Sequence, residues 1–343
     1  MKKKNVLNLI KFYSEKNDVG FRNEAYEIAR DFDNAGDYQL SEYIMALLSD
    51  ANTFVPQVND EYAFFRKVEP SNEALPLPNE IKEDIVGIVN AVGHNVGINK
   101  FLFQGAPGTG KTETVKQIAR ILNRDLYMVD FDSIIDSKLG QTSKNIVALF
   151  NEINSFAHPE RIIILFDEID AIALDRTNNN DLREMGRATS AILKEFDRMN
   201  SRIVLIATTN LYNKFDKALV RRFDSVINFN RYSKEDLLEI AESILNTYLG
   251  KFKFATKNIR LFRKIINGME VIPYPGDLQN IIKTSIAFSK VGDEYDYLRR
   301  LYLAVNEEHK IELKALQEKG YTVREIEILT GVSKSQVSRE LKG

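Results

Sequence analysis

The feature that most constrains this chain is a run of eight residues from Gly105 to Thr112. It reads Gly-Ala-Pro-Gly-Thr-Gly-Lys-Thr and matches the pattern G-x-x-x-x-G-K-[ST]. The apolar segment Phe101 to Phe103 precedes it, and a helical pattern from Thr112 to Leu122 follows it. Glycines let the backbone curl so that its N–H groups point inward, and the start of the next helix adds partial positive charge. The run therefore predicts a phosphate-binding loop between a strand and a helix.

Short apolar runs alternate with helical segments on both sides of this loop. Such alternation is typical of a parallel sheet that is covered by helices on both faces. Residues 234–303 then return to helical patterns alone. The sequence therefore predicts an α/β fold, a P-loop NTPase sheet followed by a helical unit. The strand candidates are Lys100–Gln104, Leu126–Asp130, Arg161–Phe166, Ile203–Thr208 and Ser225–Phe229.

Two carboxylates follow the most apolar of these strand candidates, because Phe166 leads directly into Asp167 and Glu168. Open α/β sheets bind their ligands at the carboxyl ends of buried strands. We expect Asp167 and the Thr112 hydroxyl to hold Mg²⁺, and Lys111 to bridge the β- and γ-phosphates. Glu168 is suited to orienting and polarising a water molecule. The pair therefore indicates hydrolysis rather than transfer to another acceptor.

Polar and basic residues after the later strand candidates extend this set. Asn210 ends the run Ile203 to Thr209 and is placed to reach the γ-phosphate or the attacking water. Arg221 and Arg222 are adjacent, so they cannot share one helix face, and arginine suits the spread charge of a transferring phosphoryl group. From spacing alone, Asn210 also fits an ordinary strand-to-loop transition, and the arginines fit surface ion pairs.

Together, these motifs resemble those of the AAA family of ATPases. Gly105–Thr112 resembles the Walker A motif, Ile162–Glu168 resembles Walker B, and Asn210 resembles sensor 1. Asp216–Asp224 resembles the second region of homology, and its Arg-Arg-Phe form is similar to that of the spastin and katanin branch. The resemblance covers roughly residues 80–290 and rests on four motifs in the order and spacing of the family.

The resemblance implies ATP and Mg²⁺ as cofactors, a helical lid, and assembly into a homo-hexameric ring. In such a ring, Arg221 and Arg222 would act as arginine fingers on the nucleotide of the neighbouring subunit. The segment Pro275 to Leu278 resembles the lid motif that contacts the nucleotide base, which adds Gly276 to the site. The candidate nucleotide-binding residues are therefore Gly105, Ala106, Pro107, Gly108, Thr109, Gly110, Lys111, Thr112, Glu113 and Gly276.

Residues 137–142 align with the first pore loop of the family, which gives Lys138, Leu139 and Gly140 as pore-loop candidates. The family usually carries an aromatic residue where this chain has Lys138. A lysine would grip a mixed polypeptide less well than an aromatic ring. This departure weakens the expectation of threading a generic polypeptide and leaves it open.

Helical segments flank the ATPase region on both sides. We predict an N-terminal helical module over 1–55, a linker over 56–80, a large subdomain over 81–231, a lid over 232–303 and a C-terminal unit over 304–343. The N-terminal module fits packing or assembly, and selection of a protein client is the alternative. The N-terminal helices and the ATPase region together show a weaker resemblance to bacterial AAA ATPases found beside subtilisin-like serine proteases.

The C-terminal unit carries two capping-box patterns, Thr322 to Glu325 and Ser333 to Gln336, with Gly331 between them. It resembles the DNA-binding helix-turn-helix of resolvases and transposases. From residue 307 onward there are seven basic and seven acidic residues, so charge gives little support. A helical hairpin that packs or recruits a protein is the alternative. The DNA-contact candidates are Lys334, Ser335, Gln336, Ser338 and Arg339.

Composition excludes or disfavours several kinds of site and partner. The chain has no cysteine and three well-separated histidines, which excludes disulfides and disfavours thiolate or histidine metal sites. Its net charge of −2 disfavours coating of nucleic acid by charge alone. No apolar run is long enough for a membrane span, so we expect a cytoplasmic protein without a membrane partner. The main expectation is a DNA-targeted remodelling ATPase, and the alternative is a protein-remodelling ATPase that serves a protease or another protein partner.

Overall fold

The computed structural model describes residues 3–48, 62–69, 76–94, 96–136, 140–156, 158–173, 181–252, 254–306 and 312–341. The chain divides into two compact units, Met1–Glu61 and Tyr62–Gly343. Much of the predicted 56–80 linker lies outside the described residues. No helix in the described ranges is long and apolar enough to cross a bilayer.

The first unit contains helices α1 (Lys3–Ser14), α2 (Asp18–Asn34) and α3 (Tyr38–Leu48). Asn17 begins α2 by accepting a hydrogen bond from the Gly20 N–H group at 2.9 Å. The core of this unit is small, and α1 leaves Leu7 and Ile10 exposed to solvent. Burial of so little apolar area gives the three helices limited stability of their own.

The second unit is built on a six-stranded sheet in the order β1-β3-β4-β5-β2-β6. Its edge strand β1 pairs antiparallel with β3, and the other neighbouring strands pair parallel. The predicted α/β fold is confirmed, but β1 lies within the range predicted as a linker and was not foreseen. The strands are β1 (Phe65–Val68), β2 (Lys100–Gln104), β3 (Asp125–Val129), β4 (Ile162–Phe166), β5 (Val204–Thr209) and β6 (Ser225–Asn228).

Helices cover both faces of the sheet. One face packs α7 and α9 through side chains such as Phe150 and Phe196, and the other packs α4 and α5 through Ile81 and Ile118. The central strand β4 is buried along its whole length, as expected for a strand covered on both sides. The helices are α4 (Asn79–Gly93), α5 (Lys111–Leu122), α6 (Phe131–Ile134), α7 (Gln141–Asn154), α8 (Asp170–Ala173), α9 (Asp181–Arg198) and α10 (Lys217–Val220).

The described residues from 232 onward form helices that share one hydrophobic core. Residues 232–303 of this part are the predicted lid and are called the lid below. Lid residues such as Phe262 and Tyr302 belong to the same buried cluster as Leu329 and Val337 near the C-terminus. The sequence predicted a C-terminal unit over 304–343 apart from the lid, whereas the structure places its helices in one core with the lid. The helices are α11 (Lys234–Lys251), α12 (Ile259–Asn267), α13 (Pro275–Ala287), α14 (Asp296–Asn306), α15 (Leu313–Glu318), α16 (Val323–Thr330) and α17 (Lys334–Glu340).

Two basic side chains of the lid fasten these C-terminal helices. Arg299 donates from Nε to the carbonyl of Leu329 at 3.0 Å and from Nη2 to that of Ile328 at 3.1 Å. Lys264 pairs with Glu325, with Nζ and Oε2 2.9 Å apart. Carbonyls at the end of α16 would otherwise lack partners, so Arg299 both caps this helix and ties it to the lid.

Candidate functional site

The glycine-rich loop joins β2 to α5, as its sequence predicts. Gly108 and Gly110 have φ values of +77° and +87°, a region that disfavours residues with a Cβ atom. A Cβ atom on Gly105 would lie 2.9 Å from the Cβ atom of Phe229, so this position also has no room for a side chain. The loop is therefore tightly curled and packed against the end of β6.

Lys111 opens α5 with its side chain folded back over the loop. Its Nζ donates to the carbonyls of Gly105 and Ala106, at 2.7 and 2.9 Å, and to Asn210 Oδ1 at 2.7 Å. Burial lowers the pKa of Lys111 to about 8, although the nearby carboxylates of Asp167, Asp170 and Glu168 act in the opposite direction. The amine is thus a buried cation. Phosphate oxygens could accept its hydrogen bonds in place of the neutral carbonyl and amide oxygens.

A hydroxyl and a carboxylate meet at the start of α5. Thr112 donates from Oγ1 to Asp167 Oδ1 at 2.8 Å, and Thr208 donates to the same oxygen at 2.7 Å. Hydroxyl and carboxylate oxygens are the ligands that Mg²⁺ prefers in proteins. The donor set of Thr112 and Asp167 therefore fits the expected magnesium ion.

Glu168 follows Asp167 with an unusual backbone conformation. Its φ is +52°, which is strained for a residue other than glycine. The Thr208 hydroxyl supports this turn by accepting the Glu168 N–H group at 2.8 Å, and Asn210 Nδ2 donates to Glu168 Oε1 at 3.2 Å. Glu168 lines the cavity described below and has an exposed side chain, as a group that handles a water molecule requires.

Asn210 connects the cation to the carboxylate, because its amide oxygen accepts from Lys111 and its amide nitrogen donates to Glu168. Asp170 holds the end of β5 from below: it accepts the Asn210 N–H group at 2.9 Å and the Thr209 hydroxyl. Asp170 and Thr208 were not predicted as site residues from the sequence. Both position other residues of the site through hydrogen bonds to residues about 40 positions away in the sequence, so only the folded structure reveals this role.

These groups line a cavity of about 500 Å³ between the sheet edge and the lid, large enough for a nucleotide. On the lid side, the Gly276 N–H group donates to the Gly108 carbonyl at 2.8 Å. A Cβ atom on Gly276 would lie 2.9 Å from Gly108 Cα, so only glycine permits this approach. Tyr248 and Gln279 also line the lid side and are hydrogen-bonded to each other at 3.0 Å.

The remaining loop residues of the predicted site lie in or beside the cavity. Pro107 and Glu113 line it, and Glu113 pairs with Lys116 at 2.9 Å. Thr109 is buried and donates from Oγ1 to the Ala106 carbonyl at 2.8 Å, which stabilises the curl of the loop. The structure therefore brings together the whole predicted nucleotide set.

Arg221 and Arg222 lie apart from this set. Both follow α10, have exposed side chains, and are absent from the described residues that line the cavity. Arg222 pairs with Asp197 at 2.8 Å, an ion pair between two exposed side chains. Action on a neighbouring subunit remains a prediction that fits their position outside their own subunit's cavity.

The structure gives less information on the pore-loop candidates. Lys138 and Leu139 lie outside the described residues. Gly140 is described and is the N-cap residue just before α7, with a φ of +79°. The pore-loop role of these three residues stays a prediction.

The DNA-contact candidates belong to the short helix α17. Lys334, Ser335, Gln336 and Arg339 are exposed, and Ser338 is half-buried. Acidic residues are close by: the Lys334 N–H group donates to Glu327 Oε1 at 2.9 Å, and Gln336 donates to Glu340 at 3.0 Å. The exposed face of α17 is therefore mixed in charge rather than basic.

Two further residues touch the loop and were missed from the sequence. Asn230 accepts the Ala106 N–H group at 2.8 Å, and the Tyr232 hydroxyl donates to the Thr109 carbonyl at 2.7 Å. Both lie in the segment between β6 and α11. Their polar character just after a buried strand was the available signal, and the fold alone shows that this segment passes over the loop.

Comparison with known proteins gives a match over 101–231 to the family described as "ATPase family associated with various cellular activities (AAA)". An AAA family ATPase of Sinorhizobium fredii is 38% identical over 133 residues, 39% of each chain. A 26S proteasome regulatory subunit homologue of Methanothermobacter thermautotrophicus is 31% identical over 172 residues, 50% of this chain and 45% of that protein. The pachytene checkpoint protein 2 homologue of Caenorhabditis elegans is 30% identical over 203 residues, 49% of this chain and 48% of that protein.

The chain thus spans less than half the length of each of these relatives. Among solved structures, a chain of the Escherichia coli MS115-1 HORMA:CdnC:Trip13 complex matches with a TM-score of 0.58 at 18% identity. The match covers 73% of this chain and 97% of that chain. At this identity the likeness concerns the fold, and it extends well beyond the 101–231 region.

Proposed function

We propose that this chain, which carries an AAA family ATPase domain, hydrolyses ATP to ADP and phosphate and uses the energy to remodel a protein partner. One observation carries the hydrolytic part: Lys111, Asn210 and Glu168 form a hydrogen-bonded series at the cavity, and Thr112 and Asp167 meet beside it. A phosphate-binding cation, a water-orienting carboxylate and a magnesium donor pair are the parts that such a hydrolysis needs.

Each residue has a distinct task in this proposal. Lys111 exchanges its carbonyl acceptors for phosphate oxygens, and Thr112 and Asp167 hold Mg²⁺, which neutralises phosphate charge when bound. Glu168 orients the attacking water and accepts its proton. Asn210 holds the side chains of Glu168 and Lys111 in position relative to each other. Asp170 fixes Asn210 by accepting the Asn210 N–H group.

We extend the proposal to a homo-hexameric ring in which Arg221 and Arg222 complete the neighbour's site. Their exposure outside the cavity of their own subunit supports this arrangement. Arginine suits the role because its planar guanidinium spreads charge over several phosphate oxygens. The Arg-Arg-Phe sequence supports a relationship to the spastin and katanin branch.

A protein partner is the better supported client. Two of the relatives are named as a proteasome regulatory subunit homologue and a pachytene checkpoint protein homologue, and the structural neighbour belongs to a multi-protein complex. The N-terminal unit supports this too, because α1 offers exposed apolar side chains such as Leu7 and Ile10 for protein contact. In this proposal the C-terminal helices recruit protein. DNA targeting has weaker support, since the exposed face of α17 is mixed in charge rather than basic.

The test compares two macromolecular ligands. ATP hydrolysis would be measured for the full chain alone, with unfolded casein, and with a 30-base-pair DNA duplex at low and moderate salt. We expect casein to stimulate turnover and DNA to have no effect, with Glu168→Gln inactive throughout. Stimulation by DNA alone, lost in Lys334→Glu/Arg339→Glu, would favour the DNA-targeted alternative. Surface substitutions are preferable to truncation because Val337 of α17 belongs to the lid core.

A further inference from the structure

Two consecutive carbonyls of the phosphate loop, those of Gly108 and Thr109, point towards the lid side of the cavity. The Gly108 carbonyl accepts the Gly276 N–H group at 2.8 Å, and the Thr109 carbonyl accepts the Tyr232 hydroxyl at 2.7 Å. Gly276 lies in α13, and Tyr232 lies just before α11. The lid thus holds the loop through its outward-facing carbonyls.

The geometry of the peptide bond links these carbonyls to the ligand side of the loop. Each carbonyl shares a rigid, planar trans peptide with the next N–H group, which points the opposite way. The Gly108 carbonyl is therefore paired with the Thr109 N–H group, and the Thr109 carbonyl with the Gly110 N–H group. Among the described residues, no protein acceptor receives either of these two N–H groups. Both are available to phosphate oxygens.

Among residues 229–233, Tyr232 is the residue that contacts both the sheet core and the lid core. Its ring packs against both the sheet core and the lid core, and lies 5.8 Å from the ring of Tyr274 at the start of α13. The preceding residue, Arg231, pairs with Asp84 of α4. The backbone on one side of Tyr232 is therefore fixed to the large subdomain, and α11 leaves from the other side.

We infer that Tyr232 is a positioning residue that couples phosphate binding in the loop to the closed position of the lid. The inference rests on the proposed function, in that the loop is taken to bind nucleotide phosphates. A phosphate that accepts the Gly110 N–H group polarises that peptide, which strengthens the bond from the Tyr232 hydroxyl to the Thr109 carbonyl. Binding and lid closure then stabilise each other, and this coupling is necessarily reciprocal.

The hydroxyl can be removed without disturbing the packing of the ring. Tyr232→Phe keeps the contacts to both cores and deletes the bond to Thr109. Tyr274→Phe is the matched control, because its ring belongs to the same aromatic pair, and its hydroxyl has no hydrogen-bond partner among the described residues. The probe is fluorescent mant-ADP, and its dissociation from this chain, residues 1–343, would be followed by stopped flow.

We expect Tyr232→Phe to release mant-ADP about fivefold to tenfold faster than the wild type, the size of effect that one lost hydrogen bond produces. Tyr274→Phe should stay within about twofold. Thermal unfolding with and without ADP separates coupling from a general structural role. In Tyr232→Phe, the increase in Tm that ADP causes should fall by more than the Tm of the free protein falls.

Unchanged mant-ADP dissociation in Tyr232→Phe would overturn the inference, even if the free protein were less stable. That combination would make Tyr232 a packing residue only. Failure of the wild type to bind mant-ADP would instead refute the nucleotide site itself. The two failures are therefore distinguishable in one set of measurements.

Discussion

Lys111 Nζ lies 2.7 Å from Asn210 Oδ1, and the amide of the same Asn210 donates to Glu168 at 3.2 Å. The proposed phosphate-binding cation and the proposed water-orienting carboxylate are thus joined through one side chain. If Lys111 donated to a different acceptor, the Asn210 amide would change position, and its hydrogen bond to Glu168 would change with it. This arrangement makes the two halves of the proposed reaction interdependent.

The first prediction concerns pH. Burial lowers the pKa of Lys111 to about 8, so the free protein loses this charge as the pH rises through 8. Below that value the amine is charged and ready for the proposed phosphate contact, and above it each protein molecule would have to take up a proton when ATP binds. We expect ATP affinity to fall by up to about tenfold per pH unit above 8. Isothermal titration calorimetry between pH 7 and 9.5 would measure it.

The control for this prediction is Lys111→Arg, whose guanidinium stays charged throughout that range. Its affinity, at whatever level, should not depend on pH. A wild-type affinity that is equally flat would contradict the lowered pKa of the lysine. For stability the sign is opposite: between about pH 8 and the ordinary lysine pKa, the unfolded chain binds more protons than the folded one. The Lys111 contribution to folding stability therefore rises with pH there.

Glu168→Gln should bind ATP normally and hydrolyse it about 10²–10⁴-fold more slowly, because the amide cannot accept the proton of the attacking water. Bound ATP should then accumulate together with assembled rings, which mass photometry would count. Glu239→Gln makes the same chemical change at an exposed position of α11 and serves as the control. Rapid turnover in Glu168→Gln would remove this residue from the mechanism.

Mixing two inactive variants would test whether the arginines act across a subunit boundary. Arg221→Ala retains Glu168, and Glu168→Gln retains Arg221, so mixed rings contain some sites with both residues intact. We expect Arg221→Ala alone to lose on the order of 10³-fold or more in turnover and Glu168→Gln alone about 10²–10⁴-fold, and the mixture to recover a fraction of the lost activity. The same mixing applies to Arg222→Ala. A mixture as inactive as its parts would indicate action within one subunit.

Gly276→Ala should weaken nucleotide binding by forcing the lid away from the loop. The added Cβ atom would lie 2.9 Å from Gly108 Cα, closer than such atoms approach in folded proteins. Gly250→Ala, in α11, is the matched control, because its Cβ atom meets nothing within 4 Å. We expect the control to bind ADP as the wild type does and to gain slightly in stability, since alanine favours helix. Equal ADP affinities for all three proteins would refute the close approach.

Arg299→Ala should loosen the C-terminal helices. It removes the hydrogen bonds to the carbonyls of Leu329 and Ile328 and leaves Asp293 and Asp296 without one cation. We expect a loss of about 2–3 kcal/mol in the opening free energy of α16 and α17, measured by amide hydrogen exchange.

Arg300→Ala is the neighbouring control, because Arg300 pairs with Asp296 from a more exposed position and reaches no helix end. Its effect should stay below about 1 kcal/mol. Equal exchange rates in α16 for both variants would show that Arg299 does not fasten the helix.

The sequence predicted the α/β fold, and it predicted residues that the structure brings together at the cavity, because their types and spacing are tied to local structure. Lys111 and Asp167 each follow a strand or loop whose pattern is visible in a short window. Asp170 and Tyr232 escaped because they act through contacts 40 and 123 residues away in sequence. Residues 322–340 gave the opposite difficulty. The predicted Thr322–Glu325 capping box forms, whereas the predicted Ser333–Gln336 box does not, because Ser333 makes no side-chain capping bond and Gln336 donates to Glu340. Neither local pattern indicates that Val337 is buried in the lid core.

That shared core has a mechanical consequence. Arg299 and Lys264 fasten α16 to the lid, and Val337 of α17 lies in the same buried cluster. We therefore expect the chain from α11 onward to move as one lever that turns beside Tyr232. A lever carries displacement in both directions. A protein that pulls on α17 would therefore change the affinity for the nucleotide. Release of the nucleotide would in turn move α17 together with the protein bound to it.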